Sequence, residues 1–282
     1  MRYKLHKLDN GVRLIIAPMP TLASVTVAVW VKTGSRNETD KLSGISHFLE
    51  HMVFKGGKKR TTAKEIAEAV DAIGGEFNAG TSKEWTNFYI KARSANLGTA
   101  FDVLADMVLT PALRQADIDR EKGVIVEEIG MYEDTPLMKI EDVFENVIFK
   151  AHALGRDVIG TKKSVTSFKR DDFVRYRNTH YFPQNIVVTV AGGMNEKEVL
   201  ELTKQYFTGF KNKDLRFKDK VERFASQQKK PRVLLHSKKK DQAHFILGFM
   251  AGEMDSKDRF AETLLATILG GGMSSRLFTE IR

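Results

Sequence analysis

Gly44-Ile45-Ser46-His47-Phe48-Leu49-Glu50-His51-Met52-Val53 is the stretch on which the reading of this chain turns. Ser43 and Gly44 are helix-start residues, and Ile45, Phe48, Leu49, Met52 and Val53 supply a broad apolar surface, so the pattern predicts a buried helix. Two histidines four residues apart lie one turn above the other, about 6 Å apart at Cβ, and can grip one metal ion. Glu50 falls between them, close enough to reach a water on that metal. The order H-x-x-E-H is the reverse of the commoner H-E-x-x-H zinc helix. Neutral imidazole suits zinc, an open coordination position holds water, and a carboxylate takes its proton. Such a pair also occurs on ordinary solvated helices, so the motif needs support from the rest of the chain.

The chain has 282 residues, enough for one large or two smaller domains with a real core. Its 42% hydrophobic and 29% charged content is ordinary for a globular protein. No run of about 18 apolar residues is present, so no membrane span is expected. The first residues, Met1-Arg2-Tyr3-Lys4-Leu5-His6, lack the apolar segment of a secretory signal, which makes a cytoplasmic location the default expectation. There is no cysteine, so any zinc must be held by nitrogen and oxygen. The net charge of +9 is dispersed in short clusters and is not interleaved with aromatics. That pattern fits solubility and argues against a nucleic-acid partner.

Around the motif, the segments 5–8 and 12–16 flank Asp9-Asn10-Gly11, a hairpin signal. Residues 24–32 (SVTVAVWVK) read as a central strand, and 33–41 as a polar turn into the His47 helix. Thr62-Ala63-Lys64-Glu65 is a capping box opening a helix to about Ala72, stopped by Gly74-Gly75. Strands follow at 76–79 and 85–92, then helices at 97–109, 117–132, 137–149 and 173–179, a strand at 185–191 and a helix at 196–207. Strands and helices come in blocks, not as strict βαβ units, which predicts an α+β fold with a mostly antiparallel sheet packed with helices. Residues 1–210 are expected to form one domain, and the charged segment 211–230 a linker. Strands at 232–236 and 244–249 and a helix at 259–269 then echo the opening pattern without its histidines. This second start, 231–282, is short for a core of its own, so the chain is expected to be a piece of a longer protein.

Two histidines leave zinc short of a protein ligand. The helix over 117–132 and its end offer Glu121, Glu127, Glu128 and Glu133. Glu121 and Glu128 are two turns apart and share a face with Val124 and Ile125, whereas Glu127 lies about 100° round from Glu128. A solvated acidic helix is the ordinary alternative.

With residues 46–52, Phe54-Lys55-Gly56, 121–129 (EKGVIVEEI), 74–86 (GGEFNAGTSKEWT), 185–192 and 270–282, the chain resembles the pitrilysin, or inverzincin, family. Its nearest branch is the one containing mitochondrial processing peptidase and its bacterial relatives. The resemblance implies a zinc metallopeptidase acting on peptides or unfolded polypeptides, with one zinc ion per chain. It implies His47, His51 and Glu128 as ligands, Glu50 as the base that activates water, and Glu121 as a helper carboxylate. Phe77, Asn78 and Ala79 match an edge strand that pairs with extended substrate. A second, similar half lends an Arg and a Tyr to substrate binding; Arg282 matches the Arg, and the Tyr position lies beyond it. The resemblance leaves open a homodimer or a paired second subunit. It also includes a rival reading, a catalytically silent assembly subunit of the same fold, although such members typically lose the motif that is intact here. The remaining histidines, His6, His152, His180, His236 and His244, have no ligand spacing and are expected at the surface or in local hydrogen bonds.

Overall fold

Among residues 2–210 the alternation that predicted strands holds, and the strands inside the sheet bury a face against the helices. The computed structural model describes residues 2–210, 222–226, 228–239 and 241–281, so Arg282 and much of the expected 211–230 linker lie outside the described residues. Strands β1 (Lys4–Lys7), β2 (Arg13–Pro18), β3 (Ser24–Val31), β4 (Glu76–Thr81), β5 (Thr86–Arg93) and β6 (Ile186–Gly192) form one sheet in the order β1-β2-β6-β3-β5-β4. Four of its pairings are antiparallel and one, β2 with β6, is parallel. The fold is therefore α+β with a mostly antiparallel sheet, as expected.

The first hairpin turns at Gly11, whose φ of +98° is costly for any other residue. Asn10 accepts from Val12 N–H at 3.2 Å and donates to Phe207 O at 2.7 Å, which ties the turn to a distant helix. Val25, Val27, Val29 and Val31 of β3 and Ile186, Val188 and Val190 of β6 present their buried face to that core. Against it lie α1 (Ile45–Val53), α3 (Leu97–Leu109) and α8 (Glu196–Phe207). Helix α2 (Ala63–Asp71) starts at the predicted capping box: Thr62 Oγ1 accepts from Glu65 N–H at 3.2 Å, and Glu65 accepts from Thr62 N–H at 3.1 Å. Helices α4 (Gln115–Asp134), α5 (Pro136–Phe149), α6 (Lys162–Ser167) and α7 (Arg170–His180) complete this part of the chain.

Contacts divide the chain into two units, residues 1–224 with 232–239, and residues 225–231 with 240–282. In the second, α9 (Arg259–Gly270) forms where the apolar pattern placed it, followed by α10 (Arg276–Ile281). The two strands expected at 232–236 and 244–249 do not form among the described residues. Val233, Leu235, Phe245 and Phe249 are each more than 80% exposed, and no strand among the described residues covers them. The reason is physical: a strand's backbone groups need a partner edge, and sequence pattern alone cannot supply one. Of the two places expected for His180, the surface is not the one it takes: it is 5% exposed and packed 4.3 Å from the Tyr176 ring.

Candidate metal centre

Helix α1 separates two chemistries. At about 100° per residue, Ile45, Phe48, Leu49, Met52 and Val53 group on one side and His47, Glu50 and His51 on the other. The apolar five are completely buried, and Phe48 packs between Phe168 and Phe173 at 6.0 and 4.8 Å. The polar three are half-buried. The helix begins at Gly44, with φ of 90°, which offers no capping side chain of its own. Glu38 does that work from the turn before it, accepting from Gly44 N–H and Ser46 N–H, both at 2.8 Å. The chain leaving α1 is fixed as firmly: the Asp106 carboxylate accepts from the N–H groups of Lys58, Lys59 and Arg60, and Arg114 donates to Lys55 O at 2.7 Å.

Helix α4 brings the carboxylates. His47 Nε2 lies 3.7 Å from Glu128 Oε1 and His51 Nε2 3.7 Å from Glu128 Oε2, with the two rings 4.6 Å apart. One ligand atom from each of His47, His51 and Glu128 lies within 4.8 Å of the others. Glu121, two turns earlier, accepts from His51 Nδ1 at 2.9 Å and is paired with Lys55 Nζ at 2.6 Å. Glu127 is exposed, so the seven-residue stripe distinguishes the two neighbours correctly. Val124 does not share that stripe's burial; it is 52% exposed, because three residues of helix carry it to the margin of the face that Glu121, Ile125 and Glu128 define.

These residues fit a zinc ion on their own geometry. The 3.7 Å separations are too long for hydrogen bonds, yet near the roughly 3.4 Å that tetrahedral ligands at about 2.1 Å from zinc would show. Burial, then the neighbouring His51, lowers the His47 pKa to about 4, which leaves its imidazole neutral as a ligand must be. The Glu121 carboxylate on His51 Nδ1 favours the tautomer that leaves Nε2 free. Burial pushes Glu121 up, but hydrogen bonds from His51 and Lys55 outweigh it and hold the carboxyl below its usual range. Burial raises Glu128, only partly offset by His51.

Glu50 stands beside this cluster. Burial raises its pKa, and a hydrogen bond from the Thr81 hydroxyl works against that rise. Strand β4 carries Phe77, Asn78 and Ala79 and is an edge of the sheet, so one side of its backbone has no partner strand among the described residues. Phe77 turns its ring inward onto Phe54, at 5.6 Å, and Asn78 points outward. Sequence reading gave no role to Lys55 or Thr81. Lys55 follows His51 by four residues, and Thr81 shares the alternating face of Phe77 and Ala79; those spacings were the available signals.

The description "Insulinase (Peptidase family M16)" matches residues 13–162, more than half of the chain. The chain belongs to peptidase family M16. A second M16 description, the "inactive domain", matches residues 167–282. Similar relatives include a protein of Bacillus subtilis named as an uncharacterised zinc protease, 38% identical over 279 residues, covering 99% of this chain and 66% of the relative. A Streptomyces coelicolor protein with the same kind of name is 38% identical over 286 residues, covering 98% of this chain and 60% of its own. The crystal structure of a protease from Helicobacter pylori is 29% identical with a TM-score of 0.88, covering 99% of this chain and 68% of that one. The periplasmic protease PqqL from Escherichia coli, 24% identical with a TM-score of 0.72 over 79% of this chain and 25% of its own, shares the fold. The chain thus spans about 60 to 66% of the length of those two curated relatives. No helix among the described residues is long and apolar enough to cross a membrane.

Proposed function

We propose that this chain carries the zinc-binding catalytic part of an M16 endopeptidase that hydrolyses peptide bonds in peptides or unfolded polypeptides. The observation that supports it most is the convergence of His47, His51 and Glu128 from two helices, with both imidazole Nε2 atoms turned to one carboxylate. In this reading residues 1–210 form the catalytic domain, 211–230 a linker, and 231–282 the beginning of a second, similar domain. Arg282, outside the described residues, would contribute to substrate binding from there.

A single zinc ion held by His47, His51 and Glu128 would polarise the scissile carbonyl and acidify water. The protein's own groups do the rest. Glu50, half-buried and made more basic by burial, takes the proton of the attacking water and passes it to the leaving amine. Glu121 holds His51 in its ligand tautomer, and Lys55 keeps Glu121 ionised. The edge of β4 at Phe77, Asn78 and Ala79 offers backbone N–H and C=O groups to an extended peptide, which aligns it without reading its sequence.

The test is metal analysis with a quenched-fluorescent peptide assay. One zinc per chain, cleavage lost on chelation and restored by one equivalent of zinc is the expected result. Absence of bound zinc, or zinc without any cleavage, would favour the silent assembly subunit. A further expectation concerns the supporting carboxylate: Glu121→Gln should weaken zinc binding by about 10- to 100-fold. Competition with a chromophoric chelator measures this, and unchanged affinity would remove Glu121 from the supporting role.

A further inference from the structure

The hydrogen bond from Thr81 Oγ1 to Glu50 Oε2 joins the last residue of the edge strand to the carboxylate beside the metal cluster. Thr81 is held on every side that matters. It forms the closing pair of the β4–β5 hairpin with Thr86, and Ser82 N–H donates across the turn to Trp85 O at 2.8 Å. Thr86 is fully buried and donates to Thr33 O at 3.0 Å. The turn is pinned from outside as well, where Ser35 N–H donates to Ser82 O at 3.3 Å and Arg36 N–H to Lys83 O at 2.8 Å. Gly34 makes that approach feasible, since a Cβ there would stand 2.1 Å from Ser82 O.

A second contact repeats the attachment along the same two elements. Phe77, four residues before Thr81, packs on Phe54, four residues after Glu50. Strand alternation puts Phe77, Ala79 and Thr81 on one face, and helical spacing puts Glu50 and Phe54 on one face. The edge strand and the metal helix are therefore stapled at two points, one apolar and one polar. A glutamate left to itself is poorly ordered at its last torsion, which is broad and roughly two-fold. One donor fixed in space removes that freedom and leaves the second oxygen for another partner. Threonine suits the task because β-branching also stiffens χ1.

We infer that Thr81 is a positioning residue for Glu50, its hydroxyl holding one carboxylate oxygen so that the other is presented to the attacking water. The inference rests on the reading of Glu50 as the base. It implies that the strand offered to the substrate backbone also sets the angle of the group that activates water, so both are aligned by one rigid hairpin.

Thr81→Val keeps the shape and deletes the hydroxyl, whereas Thr81→Ser keeps the hydroxyl. With the zinc-loaded protein and a quenched peptide, Thr81→Val should lower kcat by about 10- to 100-fold, with KM and zinc content near wild type. Thr81→Ser should recover most of the loss. A Thr81→Val variant with full kcat, or a loss that serine does not repair, would overturn the inference. Glu50→Gln in the same assay separates the two levels: if it still cleaves, the reading of the base fails and this inference with it. If Glu50→Gln is inactive while Thr81→Val is normal, only this inference fails. Crystal structures of the zinc-loaded variants give a readout independent of turnover. Glu50 should occupy one conformer in wild type and Thr81→Ser and several in Thr81→Val; one unchanged conformer in all three would refute the role.

Discussion

Glu50→Gln is expected to keep its zinc and lose most of its peptidase activity, with kcat reduced by about 10²- to 10⁴-fold, the range that general-base catalysis contributes. The substitution is nearly isosteric, and the amide oxygen can still accept from the Thr81 hydroxyl, so the packing between α1 and β4 should survive. What disappears is the ability to take a proton. Glu50 lies outside the group of His47, His51 and Glu128 that could hold the metal, which is why metal content should not follow activity down. Burial makes the native carboxylate more basic than a solvated one, bringing it nearer to the pH at which a base works best. The pairing of outcomes matters more than either alone. Retained cleavage would place the base elsewhere, and loss of zinc would place Glu50 among the ligands. Inductively coupled plasma analysis beside steady-state kinetics on one preparation distinguishes these results.

The grouping of His47, His51, Glu121 and Glu128 was largely legible in the sequence because its parts obey local periodicities. His47 and His51 are one turn apart, Glu121 and Glu128 two turns apart, and each pair needs only its own helix to be recognised. Their meeting across α1 and α4 is not local, and there the family resemblance supplied what periodicity left open among four carboxylates. The helices at 97–109 and 196–207 were readable to the residue: Thr110-Pro111 stops the first, and Asn195 caps the second by accepting from Lys197 N–H and Glu198 N–H. The insertion of β6 between β2 and β3 was not readable, because no local signal says which strands pair across more than 150 residues. The same holds for strands at 232–236 and 244–249, whose composition is right and whose ladder is missing among the described residues. Glu38 and Thr81 were passed over for a related reason. Each sits in a segment that reads as connection, and its importance comes from the tertiary group it touches.

Glu38 carries the second large expectation. It is 4% exposed, and its two oxygens accept the N–H groups of Gly44 and Ser46 at the start of the metal helix, one residue before His47. Glu38→Ala leaves two buried donors without an acceptor, each costing about 1–3 kcal/mol, so a loss of about 2–6 kcal/mol is expected in chemical denaturation. The contribution of the native side chain should also depend on pH. Burial is the main influence and raises its pKa to about 7, outweighing the backbone donors, the Ser46 hydroxyl and the attraction of Arg156. Tyr176 faces the same pocket, its hydroxyl bonded to Ser46 Oγ at 2.7 Å and Thr33 Oγ1 at 2.9 Å, and burial keeps it neutral through this range. A carboxyl that binds its proton more tightly when folded than when unfolded stabilises the fold fully below the unfolded pKa. That stabilisation is lost as pH rises through the folded value. The window here runs from about 4.5 to somewhat above 7, and the shift corresponds to about 3 kcal/mol. The stability difference between wild type and Glu38→Gln, which cannot titrate, should therefore move in favour of wild type by that order as pH falls from 8 to 5. The comparison belongs in metal-free buffer, because zinc binding has a proton dependence of its own. A difference that stays flat across the window, or one that favours wild type more at pH 8, would mean that Glu38 enters the folded state already ionised and acts on α1 as a fixed charge at a helix N-terminus.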